Sequence, residues 1–91
     1  MSEAAEPWRV QVAPSAVRSL ERLPPRVAQA VVEFVTLTLP ANPERMSKPL
    51  RYELDGLRSA RRGDYRVLFT LDPDVRTLLV VRISHRADAY R

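Results

Sequence analysis

Hydrophobic and polar positions change their period several times along the chain. Trp8 to Ala13, WRVQVA, alternates apolar and polar residues, the period of a half-buried strand. Pro14 closes that run. Ser15 then stands where a side-chain cap would begin a helix over AVRSLERL, in which Val17, Leu20 and Leu23 fall at helical spacing. Pro24 and Pro25 break this helix and suit the first turn of another. In RVAQAVVEFVTLTL, Val27, Val31 and Phe34 line up beside Ala28, Val32 and Val35. That broad apolar face fits a helix lying on a sheet, and Pro40 ends it. ANPERMSKPL carries two prolines and no period, which predicts a loop.

The second half reads as strands. Gly56 and Gly63 bound LDGLRSARRG, a short and twisted strand. YRVLFTL alternates, with Tyr65, Val67, Phe69 and Leu71 on one face and Arg66, Leu68 and Thr70 on the other. DPDVR, Asp72 to Arg76, is a turn with proline after aspartate. TLLVVRIS is the returning strand; regular alternation puts Leu79, Val81 and Ile83 on one face and Leu78, Val80 and Arg82 on the other. Strands segregated from helices predict an α+β fold: an N-terminal strand, a helical hairpin, then a three-stranded antiparallel meander, with the helices packed on one sheet face. The expectation is one domain over residues 1–91, with residues 1–7 a frayed end.

Charge adds an asymmetry. Residues 1–45 hold five basic and five acidic side chains, whereas residues 46–91 hold ten basic and six acidic, so the whole net charge of +4 falls in the second half. RSARRGDYR, Arg58 to Arg66, concentrates four arginines in nine residues against the start of an apolar strand. Guanidinium groups are planar, permanently charged and matched to phosphate, so a polyanion is the expected partner. The chain has no cysteine, which removes disulfides, thiolate metal ligands and a cysteine nucleophile and fits a reducing compartment. Neither a carboxylate cluster nor a histidine pair points to a metal, and no cofactor is expected. No apolar run approaches the ~20 residues that span a bilayer. The opening MSEAAEPW lacks a basic leader, and a cytoplasmic protein is expected.

Hairpin geometry says where the basic residues meet. Arg66 follows Tyr65 into a strand whose Tyr65, Val67 and Phe69 should face the helices, so Arg66 points to the uncovered side. A turn at Asp72–Arg76 brings the start of that strand beside Ser84 to Arg86, with His85 between them. Arg58, Arg61 and Arg62 approach the same corner from the preceding strand, and Tyr90 follows it.

KPL, LDG, SARRGDYRVLF and SHRADAYR, at this spacing, resemble the RelE/ParE toxin superfamily, and within it the RelE branch, over nearly the whole chain. The resemblance implies the toxin half of a type II toxin–antitoxin pair: a ribosome-dependent endoribonuclease that cuts messenger RNA in the A site. It implies as partners the 70S ribosome with its mRNA and a RelB-like antitoxin, in a higher-order hetero-oligomer. By the same resemblance Arg66 holds the scissile phosphate, Arg86 stabilises the phosphorane, and Tyr90 stacks on a base and aids proton transfer. Tyr90 stands closer to Arg86 here than in the best-known member. Branch members often carry a lysine pair on the preceding strand; Arg58, Arg61 and Arg62 occupy that region here, and Lys48 is the one lysine of the chain. Lys48, Arg58, Arg61, Arg62 and Arg82 are the candidates for binding RNA phosphates. His85, the one histidine, is the residue type suited to acid–base work near neutral pH and is a fourth catalytic candidate, against a solvated strand-end histidine as the rival reading. Tyr65 and Trp8 read as packing residues. Two other functions remain open: a ParE-like inhibitor of DNA gyrase, and a basic RNA-binding module without activity.

Overall fold

A computed structural model describes residues 6–52 and 55–85. Strand β1 (Arg9–Val12) leads into helix α1 (Pro14–Glu21) and helix α2 (Pro25–Glu33), which is continued by a π-helical turn over Phe34–Thr38 and a 3-10 turn over Leu39–Ala41. Strands β2 (Lys48–Pro49), β3 (Arg58–Arg62), β4 (Tyr65–Asp72) and β5 (Thr77–His85) follow. They form one five-stranded sheet in the order β1-β5-β4-β3-β2. β1 runs parallel to β5, and the other pairings are antiparallel. The predicted α+β arrangement of strand, helical hairpin and meander is therefore present.

Three local readings need correction. The segment predicted as loop contributes β2, where Lys48 and Pro49 pair with Ser59 and Arg58. Pro49 cannot donate to a ladder, and an edge strand is where that is tolerated. Ser15 does not cap α1: Ala13 is the N-cap, Pro14 occupies the first turn, and the Ser15 hydroxyl donates instead to the Val81 carbonyl at 2.6 Å. Proline pre-sets the helical φ and lacks the N–H that a first turn leaves unbonded, so Pro14 opens the helix as well as closing the strand.

The third correction concerns β5. Leu68 pairs with Arg82 but Phe69 pairs with Val80, so Val81 is an extra residue, a β-bulge. The bulge reverses the alternation beyond it. Leu78, Val80 and Ile83 share the helix-facing side, all within 5% exposure, and Arg82 and Ser84 turn to the opposite side. A strictly alternating strand would have placed Arg82 with Leu78 and Val80 on the core side and turned Ile83 with Val81 to the uncovered face.

The core lies between the helices and this sheet face. Phe69, Val67, Leu78 and Val80 are fully buried, and Ala16, Val31, Phe34, Val35 and Leu39 close over them. Complete burial of such a side chain contributes roughly 1.5–3 kcal/mol. The π turn serves this packing. Pro40 has no N–H and crowds the preceding helical carbonyls, and the Leu39 N–H reaches back five residues to Phe34. The turn buries Leu39 completely while Leu37 remains 75% exposed. Gly63, at φ +62°, makes the two-residue connection between β3 and β4, a conformation that costs glycine little.

Candidate nucleic-acid interface

Pairing register sorts the predicted residues by sheet face. On the face away from the helices, Lys48, Ser59, Leu68 and Arg82 form one row across β2, β3, β4 and β5. Arg61, Arg66 and Ser84 form the next row. Strands are spaced about 4.8 Å apart, so Lys48 and Arg82 leave the backbone about 14 Å from one another with Arg66 between them. Lys48, Arg61, Arg66 and Ser59 line a recess of about 300 Å³, together with Met46 and Pro49. No carboxylate lines it among the described residues.

Arg66 is half-buried, whereas Lys48, Arg61 and Arg82 are exposed. The Arg61 guanidinium donates through Nε to the Gly63 carbonyl at 3.2 Å, which ties it back toward the β3–β4 turn. Neighbouring strands thus hold several cations on one small area. Their repulsion is relieved by an anion spanning them, and phosphate matches the guanidinium fork.

The remaining candidates lie elsewhere. Arg58 faces the helix side, opposite Phe69 in the register. Its Nε donates to the Ser47 hydroxyl at 2.7 Å and its Nη2 to the carbonyls of Glu44 at 3.1 Å and Ser47 at 3.4 Å. This guanidinium fastens the segment that carries β2, which gives it a structural task that the sequence reading did not assign. Replacing Arg58 by alanine should lower stability by ~1–3 kcal/mol in chemical denaturation, because the loop acceptors lose a charged donor. Arg58→Lys should recover only part, since one ammonium cannot reproduce the fork.

Arg62 also turns to the helix side and with Arg26 flanks a recess of about 270 Å³ floored by Val27, Ala30 and Val31. His85 pairs in register with Tyr65, and its ring meets the Tyr65 ring edge-on at 5.2 Å. It therefore stands on the face opposite Arg66. Arg86 and Tyr90 lie outside the described residues. Trp8, expected to pack, lies against the core and carries the Arg76 guanidinium 5.1 Å from its ring centroid.

Period-two parity within RSARR separates Arg61 from Arg58 and Arg62, so that division was legible in the sequence. The placement of Arg82 was not, because it depends on the bulge. Arg22, at the end of α1, is one of five arginines in a charge-balanced half of the chain, and no local signal sets it apart. Among the described residues no group of three or more His, Asp or Glu side chains is gathered to hold a metal, and no helix is long and apolar enough to cross a membrane.

A five-stranded sheet covered on one side by a helical hairpin and cationic on the other is the architecture expected of a RelE-like fold. Comparison with known proteins agrees. The model of the family described as ParE toxin of type II toxin-antitoxin system, parDE, matches residues 10–90. Toxin RelG of Mycobacterium tuberculosis is 48% identical over 85 residues, covering 93% of this chain and 98% of that protein. Toxin RelE of the same organism is 46% identical over 85 residues, covering 93% of this chain and 88% of its own length. A chain in the crystal structure of the toxin–antitoxin complex RelBE2 of M. tuberculosis superposes with a TM-score of 0.85 at 48% identity, over 90% of this chain and 94% of that one. The chain belongs to the RelE/ParE family of type II toxin–antitoxin toxins.

Proposed function

We propose that this toxin is a ribosome-dependent endoribonuclease that cuts messenger RNA in the A site, in the cytoplasm, and so arrests translation and growth. The observation that carries the reading is the acid-free recess lined by Lys48, Arg61 and Arg66 on the uncovered sheet face, with Arg82 on the same face beside it. RNA cleavage by its own 2′-hydroxyl forms a bond from the 2′-oxygen to phosphorus and breaks the bond to the 5′-oxygen. The 2′-proton leaves, negative charge grows on the phosphorane, and the 5′-oxygen takes up a proton. Fixed guanidinium groups aimed at that charge serve the middle requirement, which is commonly the largest. Arginine stays protonated at neutral pH, so Arg66 and Arg61 act as charge stabilisers and not as bases.

Arg86 and Tyr90 complete the set by resemblance, the one as a second phosphorane ligand and the other as a base-stacking and proton-transfer group. The position of His85, with Tyr65 on the opposite face, argues against a share in a reaction centred on Arg66. The chemistry calls for no metal ion. The partners are the 70S ribosome with its mRNA and a RelB-like antitoxin, in a higher-order hetero-oligomer. The similarity to the toxin chain of the RelBE2 complex supports the antitoxin.

Mapping of 5′ ends after induction without antitoxin should reveal new mRNA termini within codons of translated regions, and none when translation initiation is blocked. The name of the matching family keeps one second reading, inhibition of DNA gyrase. A supercoiling assay with purified gyrase separates the two. Inhibited supercoiling with intact mRNA would replace the nuclease assignment.

A further inference from the structure

The sheet is not equally paired along β5. β1 ends opposite Val80, and the Ser15 hydroxyl closes on the Val81 carbonyl, so from Arg82 to His85 only β4 flanks the strand among the described residues. The end of α1 and the turn into α2 stand beside this open edge. Between them lies a recess of about 270 Å³, to which Ser19 and Arg22 contribute from the helix and Arg82, Ser84 and His85 from the strand. Because it opens at a strand edge, it takes side chains from both sheet faces. No carboxylate lines it among the described residues. Arg22 and Arg82 are exposed, and no hydrogen bond or ion pair among the described residues engages either guanidinium.

We propose that this recess is a second phosphate-binding subsite, which takes the backbone of a single-stranded RNA whose neighbouring segment lies on Arg66. Continuity carries the assignment. Ser84 is the shared wall: it stands opposite Arg66 in the register and lines the recess. Arg82 lies in the adjacent row on the same face and reaches the recess as well. Lys48, Arg61, Arg66, Arg82 and Arg22 thus form an uninterrupted cationic path across four strands and onto the end of α1. A flexible polyanion with evenly spaced charges can follow such a path, and two guanidinium forks facing an acid-free recess suit one of its phosphates. Arg22 acts here by holding RNA at a distance from the bond that breaks, and it takes no part in the chemistry.

The inference rests on the nuclease reading for its ligand, and the test separates the two. Binding of a short fluorescein-labelled single-stranded oligoribonucleotide is followed by anisotropy over a range of salt concentrations for the wild type, Arg22→Ala and Arg22→Lys. Arg22→Ala should raise Kd on the order of fivefold at low salt and make the slope of log K against log salt shallower by about 0.7, the loss of one phosphate contact on a single strand. Arg22→Lys should retain the slope, which also excludes a loss of fold as the cause. An unchanged slope in Arg22→Ala, in a wild type that binds and cleaves RNA, overturns the subsite and leaves the nuclease standing. A wild type that binds no RNA at low salt overturns the subsite, and the 5′-end mapping on translating ribosomes then decides the nuclease reading by itself. If Arg22→Ala weakens only the complex with the antitoxin, the recess is a protein contact and the proposal fails.

Discussion

Arg66→Ala should give a folded protein whose expression no longer arrests growth and whose mRNA cleavage on ribosomes falls by about 10²–10³-fold or more. Arg66 occupies the centre of the cationic face, between Arg61 on β3 and Ser84 on β5. A donor fixed there by two flanking strands needs little reorganisation as charge builds on the phosphorane, which is why its removal costs more than one surface charge would. The half-buried side chain also fills space beside the sheet, so the comparison should include Arg66→Lys. Lysine keeps the charge and most of the length but loses the bidentate fork, and an intermediate rate is expected. Circular dichroism and melting of each variant should match the wild type within a few degrees. Full toxicity of the alanine variant would remove Arg66 from the reaction.

Phe69→Ala should abolish toxicity by a different route, with a loss of ~3–5 kcal/mol in stability. Phe69 is 0% exposed, heads the fully buried side chains and sits between Val67 and Leu71 on the helix-facing side of β4, opposite Val80. A small domain is stable by only about 5–15 kcal/mol and one of this size lies toward the lower end, so the variant should be largely unfolded near 37 °C. The measurement is a denaturant titration with a protease-sensitivity assay. The pair is diagnostic: Arg66→Ala loses activity with fold retained, and Phe69→Ala loses both. If Phe69→Ala keeps a native melting curve, the core is not where the sheet and helices place it.

Particular elements explain how much of this was readable beforehand. WRVQVA, the proline-separated helices and YRVLFTL carry periods of 2 and 3.6, and β1, α1 and β4 form within a few residues of the limits those periods set, whereas α2 stops at Glu33 and the rest of its predicted span turns π-helical and then 3-10 before and at Pro40. β2 was missed because two residues cannot display a period; Lys48–Pro49 is a strand only because β3 offers it an edge. Ser15 was misassigned because a serine one residue beyond a proline is equally a cap and a neighbour, and only the approach of Val81 decides between them. The arginine cluster was visible as composition, and its division into Arg61 and Arg66 on one side and Arg58 and Arg62 on the other follows from alternation within β3 and β4. The task of Arg58 follows from nothing local, since its acceptors lie at Glu44 and Ser47.

By itself the sequence determined the order of β1, the two helices and the three-stranded meander, the helix-facing residues of β4 and the excess of guanidinium groups in the second half, because each is written in local spacing or in counted charge. Tertiary structure decided which cations share a surface. The bulge at Val81 turns Arg82 out of the core side and onto the face of Arg66, and the parallel pairing of β1 with β5 stops at Val80 and leaves the open edge where Arg22 meets Arg82. Both outcomes are set by which strand lies next to which and at what offset. Contacts between residues far apart in the chain fix that offset, and no local period records it.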